Sequence, residues 1–240
     1  MNKSALSFIA LISLIGAIVV IALLQRDNTE YREDAIRFKE KYEALNGSEV
    51  APGMVRQTIT IPRDNPFVFA NMDQIVELVE NGSGIIYFGF PECPWCRTAV
   101  PAMIEAAAEL GIEEIFYMNM TPERNIKIIN DEGEIEETRA GTPGYMRLLE
   151  LLEPYLMDYT ITGPNGETVD LNQKRIFVPF VLIVREGNVI AHKFYTLPIQ
   201  DETPFMVFTP EQHQELVDLY IALFNQYLNL TDTCQGIELC

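Results

Sequence analysis

The rhythm of apolar and polar positions changes several times along this chain, and each change predicts a different element. Ala5 to Leu24 is an uncharged, mostly apolar run. As a helix rising 1.5 Å per residue it would extend about 30 Å, the hydrocarbon thickness of a bilayer. Next, Tyr31, Ala35, Phe38, Tyr42 and Leu45 recur at spacings of four and three, the seam of a short helix, with Asn46-Gly47 as its stop. This predicts a charged stalk with one apolar face packed on the domain; a juxtamembrane dimerisation coil is the alternative.

From residue 54 the periods alternate. "MVRQTITI" has the period of two expected of a strand. "NMDQIVELVENG" reads as a helix with Asn71 as N-cap, Gln74 completing a capping box and Gly82 as the stop. "GIIYFGF" is a buried strand, "RTAVPAMIEAAAELG" an Ala-rich helix closed by Gly111, and "EEIFYMNM" another strand. Strand–helix–strand–helix–strand order predicts parallel pairing in an α/β sheet.

Residues 121–175 read as an insertion, with a hairpin turning at Asp131 to Gly133 and a helix capped by Thr142 with Pro143 at its first position. "FVPFVLIVREGNVIAHKFYTL" then gives two apolar strands around Glu186-Gly187-Asn188. A capping box, Thr209 with Gln212, opens a terminal amphipathic helix. The expected organisation is an anchor over 1–25, a stalk over 26–53, a domain over 54–231 with the insertion 121–175, and a tail over 232–240.

Charge and flanking sequence add an address. The chain of 240 residues carries 35 acidic side chains against 17 Lys and Arg, a formal net charge of -18. Such a surface repels phosphate backbones and argues against a nucleic-acid partner. Lys3 precedes the apolar run, no small-x-small cleavage pattern follows it in "IALLQRDN", and no nearby cysteine is available for lipid. The segment is therefore expected to be an uncleaved signal-anchor, holding the chain to the cell membrane through residues 5–24. Arg26, Arg32 and Arg37 oppose an outward orientation, but the short tail with Lys3 favours export of the bulk of the chain.

The candidate chemistry lies in "PECPWCRTAVP", where Cys93 and Cys96 follow the apolar strand and open the Ala-rich helix. A zinc site would need a second half-site or paired histidines, and Cys234, Cys240, His192 and His213 have no such spacing. A purely structural disulfide across so small a loop would restrain little chain entropy. A redox dithiol has a mechanism here. Cys93 at the N-cap, with Pro94 at the first helical position, would meet unpaired amides and the helix dipole, which stabilise a thiolate. Arg97 would add positive charge and Glu92 oppose it. Cys96, one turn inside, would resolve a mixed disulfide formed at Cys93. Cys234 and Cys240 fit a disulfide with each other, an electron relay to Cys93, or no role.

These residues, with Pro101 five positions after Cys96 and a proline, Pro179, opening the strand before the last hairpin, resemble the thioredoxin superfamily over about residues 54–230. "PECPWC" behind a long anchored N-terminus is similar to membrane-tethered thioredoxin-like proteins of Gram-positive bacteria, including bacteriocin transport accessory proteins. The resemblance implies a thioredoxin-like fold, a central mixed sheet flanked by helices; the insertion 121–175 has no counterpart in a minimal thioredoxin and is a candidate substrate-recognition cap. It implies a cis peptide at Val178-Pro179 facing the dithiol, Val178 and Pro179 aligning a peptide substrate, and Trp95 contributing to the same surface. Two departures stand out: Pro-Trp replaces Gly-Pro between the cysteines, and Tyr87 occupies the position of the buried acid that aids proton transfer.

The expected function is an extracytoplasmic thiol-disulfide oxidoreductase, with Cys93 as nucleophile and Cys96 as resolving thiol. It would need no metal or organic cofactor, only protein or peptide thiol and disulfide substrates and a redox partner that regenerates the dithiol. The alternative is an accessory module that holds an exported peptide, with redox activity secondary.

Overall fold

A computed structural model describes residues 31–130, 132–163, 166–198 and 205–228 of the chain. The apolar run 5–24, the turn residue Asp131, and Cys234 and Cys240 lie outside them. Among the described residues no helix is long and apolar enough to cross a membrane.

A mixed five-stranded sheet organises the α/β architecture. Its strands are β3 (Phe67–Phe69), β4 (Gly84–Gly89), β5 (Ile115–Asn119), β10 (Phe180–Arg185) and β11 (Asn188–Phe194), in the spatial order β11-β10-β4-β5-β3. β5 runs parallel to both β3 and β4, whereas β10 runs antiparallel to β4 and to β11. The parallel pairs are joined through α2 (Met72–Asn81) and α3 (Pro94–Leu110), as strand–helix–strand order requires. β4 is buried along its whole length, so its run of apolar side chains serves both faces of the sheet.

Both helices start and stop where the sequence signals them. Asn71 and Gln74 form a reciprocal capping box, Gly82 ends α2, and Gly111 ends α3 in the left-handed conformation. The reciprocal Thr209–Gln212 bonds open α5 (Pro210–Leu228). Glu186 and Gly187 both have positive φ in the tight turn between β10 and β11.

Successive residues of β4 face opposite sides of the sheet. Tyr87 meets the helix over residues 31–43, here α1, and also α3, against which α5 packs. Phe88 faces the other way and stacks on Phe180, while α2 packs against β11, β5 and α4 (Pro143–Leu152). α1 buries its apolar seam in the core. Phe38 and Tyr42 are fully buried, and Phe38 stacks on Phe67 with ring centroids 4.0 Å apart.

The expected strand over 54–61 is different. β2 spans only Met54–Val55 and pairs with β1 (Glu49–Ala51) in a separate two-stranded ribbon. Ile59 and Ile61 do point inward, but their amide groups bond to side chains: Ile59 N–H to Asn46 and Ile61 N–H to Glu43. Side chains from the end of α1 and the turn after it therefore take the place of a ladder partner. The first strand of the main sheet is β3, whose Phe-Val-Phe is too short for a period to register. In the insertion, β6 (Ile126–Ile129) and β7 (Ile135–Arg139) form the expected antiparallel pair, and β8 (Met157–Thr162) pairs antiparallel with β9 (Thr168–Arg175) after α4.

Candidate active site

β4 delivers the chain to the C-terminal edge of the sheet, and Phe90-Pro91-Glu92 turns it into α3. The Cys93 amide donates to the Phe90 carbonyl at 3.2 Å, closing that turn. Cys93 is the N-cap of α3 with extended backbone, and Pro94 follows at the first helical position, where the missing N–H costs no bond. The Cys93 sulfur accepts from the Cys96 amide at 3.3 Å, so a thiol performs the capping that a Ser or Asp oxygen usually performs.

The two thiols are unequal. Cys93 keeps 5% of its surface exposed and Cys96 none, so an incoming molecule meets Cys93 first. The Cys93 thiol is held below its ordinary range, first by a hydrogen bond from the Cys96 thiol, then against burial by the amides of Cys96 and Trp95, with the Arg124 charge adding to the effect. Cys96 is pushed well up, above all by burial and then by its bond to Cys93; the Tyr87 hydroxyl and the Phe90 amide pull weakly the other way.

Across from the dithiol lies the segment before β10. The Val178-Pro179 peptide is cis, both residues are buried, and the Val178 carbonyl accepts from the Cys93 thiol at 3.7 Å. Cysteine pair and proline strand, 85 residues apart in sequence, thus meet at one point. Trp95 is half-buried against the core beside them. Pro101 sits inside α3, two turns beyond the caps.

Arg97 differs from the sequence expectation. Its guanidinium is fully buried and turned away from Cys93: Nε and Nη2 donate to the Gln57 carbonyl at 2.9 and 2.7 Å, Nη1 to the Tyr42 carbonyl at 2.7 Å, and Nη2 also to Asn46 Oδ1. It clamps α1 and the 57 segment onto α3, and it does not contribute to the Cys93 thiolate. Burial lowers its own pKa from the usual arginine range, as expected where neutral oxygens are the only partners.

The positive charge beside Cys93 comes instead from Arg124, whose guanidinium lies over the Phe90 ring, 4.6 Å from its centroid. Nothing in the pattern around Arg124 announces this, because it sits in a turn of the insertion and reaches the site only through the fold. Tyr42 is the second residue the pattern does not disclose as part of the site. Its hydroxyl pairs with that of Tyr87 behind Cys96. Among the described residues no group of His, Cys, Asp and Glu is arranged to hold a metal ion. No family model matches the chain, and no curated protein or solved structure matches it either.

Proposed function

We propose that the chain is a protein thiol-disulfide oxidoreductase of thioredoxin-like fold, acting through Cys93 and Cys96. The observation that carries this reading is the contact of the Cys93 sulfur with both the Cys96 amide and the Val178 carbonyl. It joins an N-cap that favours a thiolate to a backbone edge that can receive an extended peptide.

In the reductive direction the Cys93 thiolate attacks one sulfur of a substrate disulfide. The substrate S–S bond breaks, a mixed disulfide forms, and the first substrate sulfur leaves as a thiolate. Cys96 loses its proton and attacks Cys93 Sγ, forming the intramolecular disulfide and releasing the second substrate thiolate. The substrate gains two electrons and the protein loses two, which a partner dithiol restores. The same steps run backwards oxidise a substrate dithiol, and the partner's potential decides the direction. Hydrogen bonding from Tyr87 to the Cys96 sulfur favours the anion that resolution requires. Residues 5–24 would tether this domain to the outer face of the membrane, where disulfides persist.

A Cys96→Ser chain should accumulate disulfide-linked adducts through Cys93, visible by non-reducing electrophoresis and mass spectrometry. Adduct formation should vanish on further replacing Cys93. If the single variant forms none, and the double variant retains full activity in cells, the chain is a binding module and the oxidoreductase reading fails.

A further inference from the structure

Arg124 and Arg175 stand out in a chain with a net charge of -18. No carboxylate among the described residues lies within ion-pair distance of either. Burial, and then the charge of Arg175, lower the Arg124 pKa from the usual arginine range, and each guanidinium lies over an aromatic ring: Arg124 on Phe90, Arg175 on Tyr159 at 4.0 Å. Arg175 is nearly buried and donates to the carbonyl and side-chain oxygen of Asn125, which fixes the turn that carries Arg124. The Arg124 guanidinium donates no hydrogen bond to any described residue, and its Nε is buried without a partner. Next to the pair the Tyr145 side chain is fully buried, and its hydroxyl has no hydrogen-bond partner beyond a loose approach of the Ile176 amide.

Neighbouring acids are already engaged or turned elsewhere. Glu123 accepts from the Thr142 hydroxyl and Glu137 from the Asn125 amide, while Glu92 is exposed before Cys93. The Arg124 side chain is partly buried with its Nε donor unfilled, and an anion that reached it would complete that donor while meeting the terminal nitrogens. Phe90 holds the ring beneath Arg124 and also closes the turn onto Cys93, so an anion bound there would lie beside the nucleophile.

We propose that Arg124, backed by Arg175, forms a carboxylate-binding subsite beside Cys93 that selects thiol or disulfide peptides bearing an acidic group next to the reacting cysteine. The inference rests on the oxidoreductase reading above and adds the substrate class. A planar carboxylate matches the donor fork of an arginine, and the acidic surface elsewhere makes this the place where an acidic peptide is welcome. The carboxylate has two possible sources, a Glu or Asp side chain and the terminal carboxylate of a peptide ending near its cysteine.

The test is the single-turnover rate at which the reduced, full chain attacks disulfide-linked peptides of matched length. One set has blocked ends and Glu, Gln or Lys beside the cysteine. A second set has Gln there, with the terminus one residue away either free or amidated. The Glu peptide should react about tenfold faster than the Gln peptide, the Lys peptide more slowly than either, and added salt should shrink the difference. A preference for Glu assigns a side-chain source, and one for the free terminus a terminal source; both support the subsite. In Arg124→Gln all peptides should slow together because Cys93 loses a nearby charge, whereas the Glu-to-Gln ratio should fall to about one. Equal rates for acidic and neutral peptides on the unmodified chain overturn the subsite and leave the oxidoreductase reading standing. A ratio that survives Arg124→Gln also overturns it. If no peptide is attacked at all, the oxidoreductase reading falls first and the subsite with it.

Discussion

The hydroxyl of Tyr42 lies 3.0 Å from the hydroxyl of Tyr87, joining α1 to β4 directly behind Cys96. Burial holds both phenols well above their ordinary range, so neither serves as a base. Tyr87 instead presents a neutral O–H to the Cys96 sulfur, with Tyr42 fixing its orientation. A pair of neutral hydroxyls thus stands behind the buried Cys96 thiol.

Replacing Tyr87 with Phe tests that assignment. The first attack by Cys93 should keep its rate, while decay of the mixed disulfide should slow about tenfold, the effect of one lost hydrogen bond to a charged sulfur. Acid-quenched samples analysed by mass spectrometry separate the two steps. Equal slowing of both would move Tyr87 from the resolving step to general packing. Tyr42 would be left without its partner, so stability should also drop by about 1–3 kcal/mol.

The unequal thiols predict a pH dependence. Alkylation of Cys93 should follow a single titration with its midpoint below that of an ordinary thiol, with Cys96 silent throughout. The largest cause is the hydrogen bond from the Cys96 thiol, so Cys96→Ala should move the midpoint upward. For the reduced chain the sign is fixed by linkage. A depressed Cys93 contributes stability present above the unfolded thiol pKa and lost as pH falls through the folded value. A raised Cys96 acts oppositely, withdrawing stability as pH climbs above the unfolded value. A midpoint at or above the ordinary thiol range would remove Cys93 as the activated nucleophile.

Arg97 and Arg147 should behave differently when removed. Arg97→Met leaves the Tyr42 and Gln57 carbonyl oxygens without this donor and cuts the tie between α1 and α3, so urea unfolding should show a loss of about 3 kcal/mol or more. Arg97→Lys should rescue little, because a single ammonium cannot reproduce the fork. Arg147, half-exposed and paired with Glu80 and Glu150, should leave the urea midpoint almost unchanged on truncation. Similar losses at the two positions would refute the clamp.

Much of this was legible in the residues, and the gaps have physical causes. Caps at Asn71, Thr142 and Thr209, the glycine at 111 and the 186–188 turn are local devices, written in neighbouring side chains. Cys93, Pro94 and Cys96 are equally local, since the N-cap and the first turn lie within four residues. The contacts that complete the site are not local. Arg124 reaches Phe90 through the path of the insertion, and Tyr42 reaches Tyr87 across 45 residues. The period of two over 54–61 reported inward-facing residues truthfully, but a period cannot say whether strand or side chain will satisfy the amides. Arg97 follows Cys96 in sequence, yet the helical turn of about 100° per residue sends it to another face.

The same geometry makes α1 part of the folded unit, which a shortened chain can test. Phe38 and Tyr42 are fully buried, and Phe38 packs face to face with Phe67 and edge-on to Tyr117 at 4.9 Å. Asn46 bonds both backbone groups of Ile59, and Glu43 accepts from Ile61, so residues after 54 depend on α1 for their hydrogen bonds. A chain beginning at Met54 would expose the ring faces of Phe67 and Tyr117, strip Arg97 of two acceptors and leave Tyr87 without its partner. Phe38→Ala alone should cost about 3–5 kcal/mol, a large share of what a domain this size holds in reserve. The shortened chain should therefore lose its cooperative unfolding transition and its near-ultraviolet circular dichroism. A chain beginning at Tyr31 should keep both, and a chain beginning at Met54 that unfolds as cooperatively as the longer one would show α1 to be an ornament on the domain.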